Sequence, residues 1–334
     1  MLQFTVSQNS AEPDVFSTIG EALSQLPEDE LTPVTIRIKP GTYREKLTVS
    51  RSNVTLIGED VRTTVIAYDD YANQMMPDGS KRGTFRSYTL FLDGNDITLS
   101  NLTVRNDAFP RSRAGQAVAL YADGDRITVE DCRIMSYQDT LFTGPLPPNP
   151  LSAGGFTGPK EFAERIVGRQ YYKNCYICGD IDFIFGSAIA YFENCEIASV
   201  YSELSTSNCQ DGSPLYGYVT AASTPEGYPY GYVFESCAFT GTCPDETVYL
   251  GRPWRNYAQT VLLNCYLGSH IKKEGFHDWN KPEAHETMFY AEYRNTGKGA
   301  VPANRSPYVR QLSDEEAARY TKEAVLSGED NWQP

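Results

Sequence analysis

The sequence lacks any run of about 18 consecutive apolar residues, the length a membrane-spanning helix requires, so it is not expected to cross a membrane. Histidine is scarce. His270, His277 and His285 are the only three, all late in the chain, and each reads as a surface or turn residue rather than a catalytic one. Basic charge is in deficit, with 29 Lys and Arg against 43 Asp and Glu, for a formal charge of -14 and a pI near 4.7. That balance argues against nucleic acid and anionic membranes as partners, and against a polyanion unless its charges are masked. Gly-x-Ser-x-Gly is absent, which removes the usual serine-hydrolase elbow. The opening Met1-Leu2-Gln3-Phe4-Thr5-Val6 alternates like a strand and carries no basic segment followed by an apolar run, so no signal peptide is read there.

What is present is a repeat. Hydrophobic content of 40% and charged content of 22% describe an ordinary folded chain. Its 334 residues exceed the roughly 250–300 at which a single globular core stops growing. A solenoid escapes that limit, because each repeat touches only its neighbours. From Val34 onward strand-like segments recur between Gly, Asn and Asp. Six phrases align: Ile97–Val104, Ile127–Ile134, Gln170–Ile177, Ala190–Ile197, Tyr232–Phe239 and Thr260–Leu267. Each is a strand, a small polar residue, then Cys (Leu102 in the first), one more residue and an apolar one. The steps between them are 30, 43, 20, 42 and 28 residues; the shortest sets the size of a bare coil. Strand–turn–strand repeats without intervening helices predict an all-β, right-handed parallel β-helix, one domain over residues 1–334. Asn before Cys suits a tight bend, since Asn tolerates left-handed backbone angles. A helix over Ser17–Leu26 is expected to cap one end within a cap of about residues 1–30. A second, opened by the capping box Ser313-Asp314-Glu315-Glu316, is expected to serve the other end within residues 311–334. Two irregular stretches interrupt the coils: Gly144–Lys160, with five prolines and four glycines, and Ser205–Gly231. Loops of that length in a compact domain are commonly walls or lids, although tolerated insertion is the alternative. Capped ends make a monomer the expectation.

Of eight cysteines, Cys132, Cys175, Cys195, Cys237 and Cys265 share one repeat position and should stack as an interior ladder. Cys175 and Cys178 resemble a redox or zinc pair. An odd separation within a strand turns the two thiols to opposite faces, and no second pair accompanies them, so no metal or cofactor is expected.

The chemistry-bearing residues lie between Gln138 and Gly186. Asp139 follows Cys132 by seven residues, and Asp182 follows Cys175 by seven. An equal offset from one landmark places both at the same point of their coils, about 4.8 Å apart along the stack if the coils are adjacent. Two carboxyls that close cannot both ionise easily; one should be protonated while a cation holds the other charged. Arg252, in Leu250-Gly251-Arg252-Pro253-Trp254, is the candidate cation, because its planar fork can grip a carboxylate with two hydrogen bonds. Gln116 and Gln138 offer uncharged donors suited to a developing oxyanion. Singly, each has a plain structural reading: a turn-capping Asp, a glutamine ladder, a surface ion pair, a core tryptophan.

Together the residues resemble the pectin methylesterase family. Gly41-Thr42-Tyr43-Arg44-Glu45, Gln116-Ala117-Val118-Ala119-Leu120, Gln138-Asp139-Thr140-Leu141-Phe142, Gly179-Asp180-Ile181-Asp182-Phe183-Ile184-Phe185-Gly186 and Leu250-Gly251-Arg252-Pro253-Trp254 resemble its signatures and stand in its order. The resemblance implies an enzyme that removes methyl groups from esterified galacturonan without a metal. It implies Asp182 as nucleophile, Asp139 as general acid/base, Gln116 and Gln138 as oxyanion donors and Arg252 as the residue holding Asp182. It also implies Trp254 and Phe185 as aromatic contacts to the sugar. Methyl-esterified homogalacturonan and its oligosaccharides would be the partners. Ile181 stands where Val is common and Phe142 where Tyr often sits. Val219–Thr224 lacks the Gln and Arg typical of plant members, and no inhibitor-like extension precedes the domain. A microbial-type enzyme is the resulting expectation, either intracellular in a bacterium or secreted with its leader removed.

Other pectin-active β-helices are the alternatives. A lyase would need an acidic calcium cluster and an arginine base, and a polygalacturonase several acids and usually a histidine. A non-catalytic module would use its many tyrosines (23 in all) as stacking platforms and release no methanol.

Overall fold

A computed structural model describes residues 2–9, 14–202, 207–209 and 212–334; Met1 and Ser205, at the start of two stretches discussed above, lie outside them. The aligned phrases become successive coils. Their first strands, Ile97–Ser100, Ile127–Glu130, Arg169–Lys173, Ile189–Glu193, Tyr232–Glu235 and Gln259–Leu263, are consecutive neighbours in a 12-stranded parallel sheet. Each step between phrases is therefore a single coil, and the longer steps carry loops. The bend follows one rule: Asn101, Asp131, Asn174, Asn194, Ser236 and Asn264 all have φ between 52° and 54°. The left-handed residue turns the chain into an 8-stranded sheet, after which loops of variable length lead to a 7-stranded one. The chain is a right-handed parallel β-helix. Leu102 and the five ladder cysteines are buried at the bend, with Phe192, Phe234 and other large side chains filling the bore. All eight cysteines are free thiols, and no metal-holding group of His, Cys, Asp or Glu occurs among the described residues.

The helix Ile19–Ser24 closes the N-terminal end, starting at Thr18 with a capping box to Glu21. Ile19 and Ala22 are buried against the first coils, and Glu45 accepts from the amides of Ile19 and Gly20 at 2.9 and 2.8 Å. The Gly41–Glu45 motif thus anchors the cap. At the other end the expectation needs correcting. The Ser313 capping box is formed, but its helix stops at Ala317, and a second short helix follows at Lys322–Leu326. Ala317, Val325 and Leu326 pack on Tyr171, Tyr191, Val233 and Val261, on the outer face of the 12-stranded sheet. Asp330 pairs with Arg126 and Arg169. The tail runs back beside the middle coils because those outward apolar residues need cover. Ser205–Gly231 also differs from its irregular reading: it contains the fully buried strand Gly217–Ala222 of the 7-stranded sheet. Gly144–Lys160 has no strand or helix, and its Leu146 and Phe156 are buried in an aromatic cluster on the outer face of that sheet.

Candidate active site

The 7-stranded sheet takes one short strand from each coil, including Leu120–Ala122, Leu141–Thr143, Ile181–Gly186, Gly217–Ala222 and Val248–Gly251. Leu141 pairs with Ile184 and Phe142 with Phe185, which sets Asp139 level with Asp182 on adjacent coils. The Asp139 amide donates to the carbonyl of Ile181 at 3.1 Å. Both aspartates have left-handed backbones, φ 62° and 50°. Between Ile181 and Ile184 the pairing with the next strand slips by one residue, a bulge that falls on Asp182 and Phe183. Such a bulge re-aims a side chain beside a site. Here Phe183 and Ile184 both enter the bore, while Asp182 and Phe185 share the outer cleft. Gly186 ends the strand with φ 132°, and a Cβ there would come within 2.0 Å of the Thr143 carbonyl, so only glycine fits.

Arg252 reaches Asp182 from two coils away. Its Nε and Nη2 donate to the two carboxylate oxygens at 2.8 and 2.5 Å, a fork-on-carboxylate pair. The guanidinium is held flat between the rings of Tyr218 and Trp279, 3.8 and 3.7 Å from their centroids. Asp139 is also buried but has no such clamp. Burial, followed by the neighbouring Asp182 charge, pushes its pKa well above the ordinary carboxylate range, against a smaller opposing effect of Arg252. Gln116 and Gln138 are half-buried and line the same cleft, with Phe185, Trp254, Phe85 and Trp279. The amide of Ala117 donates to the carbonyl of Gln138 at 3.1 Å, joining the two glutamine segments. All seven residues singled out from the sequence therefore border one cleft: a carboxylate gripped by an arginine, a second buried carboxyl without such a clamp and two amide side chains beside aromatic walls.

A family model described as Pectinesterase matches residues 4–145 and 165–329. The chain belongs to the pectinesterase family. Pectinesterase A of Dickeya chrysanthemi is 33% identical, over 98% of this chain and 91% of that protein. Pectinesterase 31 of Arabidopsis thaliana is 30% identical, over 94% and 89%. The chain spans about half (51%) of a probable pectinesterase/pectinesterase inhibitor from the same plant. Among solved structures, pectin methylesterase PemA from Erwinia chrysanthemi superposes with a TM-score of 0.80 at 32% identity, covering 100% of this chain and 98% of that one. A pectin methylesterase in complex with a hexasaccharide gives the same score, 0.80 at 32% identity, over 100% and 99%. These values fit the microbial-type resemblance.

Within this pectinesterase-family cleft, several residues went unnoticed in the sequence. Trp279 packs on Arg252 from a turn in which it has φ 57°, and its amide donates to Nδ1 of His277 at 2.9 Å. Tyr218 packs on the other face of Arg252 from the strand hidden in Ser205–Gly231. Thr84 and Phe85 arrive on a loop between early coils, and Phe156 edges against Trp254 at 6.1 Å between centroids. An isolated aromatic in a polar turn, as at Trp279, was the one available signal.

Proposed function

We propose that this chain hydrolyses the methyl esters of galacturonate units in pectin, homogalacturonan or its oligosaccharides, releasing methanol. The carrying observation is the asymmetry of the acid pair: Asp182 is gripped at both oxygens by Arg252, while its stacked neighbour Asp139 is buried without a clamp. Asp182, ionised, attacks the ester carbonyl carbon, and the carbonyl electrons move to oxygen. Gln116 and Gln138 donate to that oxyanion. Its collapse breaks the bond to the methoxy group, which takes the proton of Asp139 and leaves as methanol. An anhydride now links Asp182 to the sugar acid. Asp139, as carboxylate, removes a proton from water, and the resulting hydroxide attacks the anhydride at the sugar carbonyl. Asp182 departs as a carboxylate, and Asp139 again holds its proton. Phe185 and Trp254 supply apolar faces for the pyranose rings. No step requires a metal or organic cofactor, and the proposed unit is a monomer.

The test is methanol release from esterified pectin by wild type and by Asp182→Asn. Wild-type activity is expected, with near-complete loss in the variant; equal rates would end the nucleophile assignment. The acidic chain, -14 overall, suits a substrate whose carboxylates are masked. Activity is therefore expected to rise with the degree of methylation of the pectin, and a rise on demethylated pectin would contradict this reading.

A further inference from the structure

Asp180, two residues before Asp182, has a fully buried side chain and pairs with Arg111. Arg111 lies in the short helical turn Arg111–Ala114 that leads into Gln116, and its guanidinium packs 3.9 Å from the ring centroid of Tyr137, the residue before Gln138 and Asp139. One side chain thus joins three segments: its own, which ends in Gln116; the Tyr137 segment, which carries Gln138 and Asp139; and the Asp180 segment, which carries Asp182. Backbone bonds tie the same points. Asp180 N donates to Tyr137 O at 3.1 Å, and Tyr218 N donates to Asp180 O at 3.0 Å, linking in the ring that packs on Arg252. Asp180 Oδ1 also accepts from the amide of Ile181 at 2.7 Å, at the entrance to the bulge.

The geometry points to Arg111 and Asp180 as a positioning pair for the ester hydrolysis, setting the Gln116 donor relative to the strand that carries Asp182. The inference rests on the roles proposed above for Gln116, Gln138, Asp139 and Asp182. Neither partner borders the cleft, so neither is expected to touch the sugar. A small shift of Gln116 changes how well the oxyanion is met while leaving ground-state binding of the chain intact. The loss should therefore appear in turnover rather than in affinity.

The experiment measures kcat and KM for methanol release from esterified pectin in Arg111→Met, Asp180→Asn, the double variant and Arg111→Lys, with Tm recorded for each. Asp180→Asn keeps an oxygen for the Ile181 amide. Each single variant is expected to lose about 10- to 100-fold in kcat with KM within twofold. The double variant should be no slower than the slower single one, since both changes break one pair. Arg111→Lys should recover part of the loss. A kcat within twofold of wild type in either folded single variant, a loss confined to KM, or losses that multiply in the double variant would overturn the inference. If Arg111→Met does not fold, Arg111→Lys gives the same reading: reduced kcat at constant KM supports the pair, and unchanged kcat sinks it. Inactive wild type would defeat the proposed function itself. Active wild type, inactive Asp182→Asn and unaffected pair variants would defeat this inference alone.

Discussion

The 7-stranded sheet carries a stacked acid pair at each end. At the entry of its strands stand Asp139 and Asp182. At the exit, Asp93 and Asp123 follow Leu90–Leu92 and Leu120–Ala122, whose last residues are paired, and Asp123 N donates to Leu92 O at 2.9 Å. Both pairs arise because side chains at equal offsets on adjacent coils must stack. Their company differs. Lys160, a point charge at the end of the Gly144–Lys160 excursion, holds Asp93 at 2.5 Å, whereas Arg252 grips both oxygens of Asp182. A Cβ on Gly144 would come within 2.3 Å of the Asp123 carboxyl, so the space beside that pair is already filled. The entry pair opens on a cleft lined by Gln116 and Gln138. Stacked acids follow from the solenoid; the clamp, the amide side chains and the open space are what set apart the pair to which ester chemistry is proposed.

Four measurements would break or sharpen that contrast. The largest effect is expected from exchanging single acids. Asp139→Asn should lower methanol release by about 10⁴-fold, whereas Asp123→Asn should stay within twofold of wild type. A comparable loss in both would erase the distinction. Next come the groups found only at the entry pair. Gln138→Ala should cost about 10²–10³-fold in kcat, and Arg252→Lys, which replaces a fork by a point charge, about 10²-fold.

The third concerns pH. Asp139 is held above the ordinary carboxylate range, so it keeps its proton to higher pH than an exposed aspartate. In the proposed mechanism the acid form that serves methanol departure is present below that raised pKa and lost above it. The kcat/KM of wild type should therefore fall on an alkaline limb that the residual rate of Asp139→Asn lacks.

The smallest effect is on stability. Burial raises Asp123 to about 6, with Lys160 opposing the shift and Asp93 adding to it. The unfolded chain titrates this group near the ordinary aspartate value of 3.8. The folded state therefore binds the proton more tightly, and stability is lost as pH rises through about 6. Asp123→Asn should raise Tm by about 2 °C at pH 8 and leave it unchanged at pH 4. A gain at both values would show that the charge is not the cause.

The repeat made the fold and the level placement of Asp139 and Asp182 legible, because an offset of seven from a buried bend residue survives any loop inserted elsewhere in the coil. The left-handed bends were legible too, in Asn101, Asn174, Asn194 and Asn264, since few other residues tolerate that backbone. The bulge was not. Simple alternation puts Asp182 and Phe185 on opposite faces, and only the extra residue in the strand brings both to the cleft. Tyr218 was hidden because its strand carries Gly217 and a Tyr-rich approach that reads as loop. Trp279 lies more than 90 residues from Asp182, and no repeat phrase contains it. The tail was misplaced because the outward apolar residues Tyr171, Tyr191, Val233 and Val261 look like interior ones until the strand pairing assigns their face.

The spacing of the coils has a consequence for how this protein can change. Asp139, Asp182 and Arg252 belong to different turns of one spring, and their distances along its axis are whole multiples of about 4.8 Å. Duplicating a turn beyond either end would lengthen the molecule and leave those distances untouched. Duplicating one between Leu141–Thr143 and Ile181–Gly186 would part the two acids by a full step that no rotamer can recover. The backbone ladder, more than any side chain, is the ruler that sets the distances between these groups.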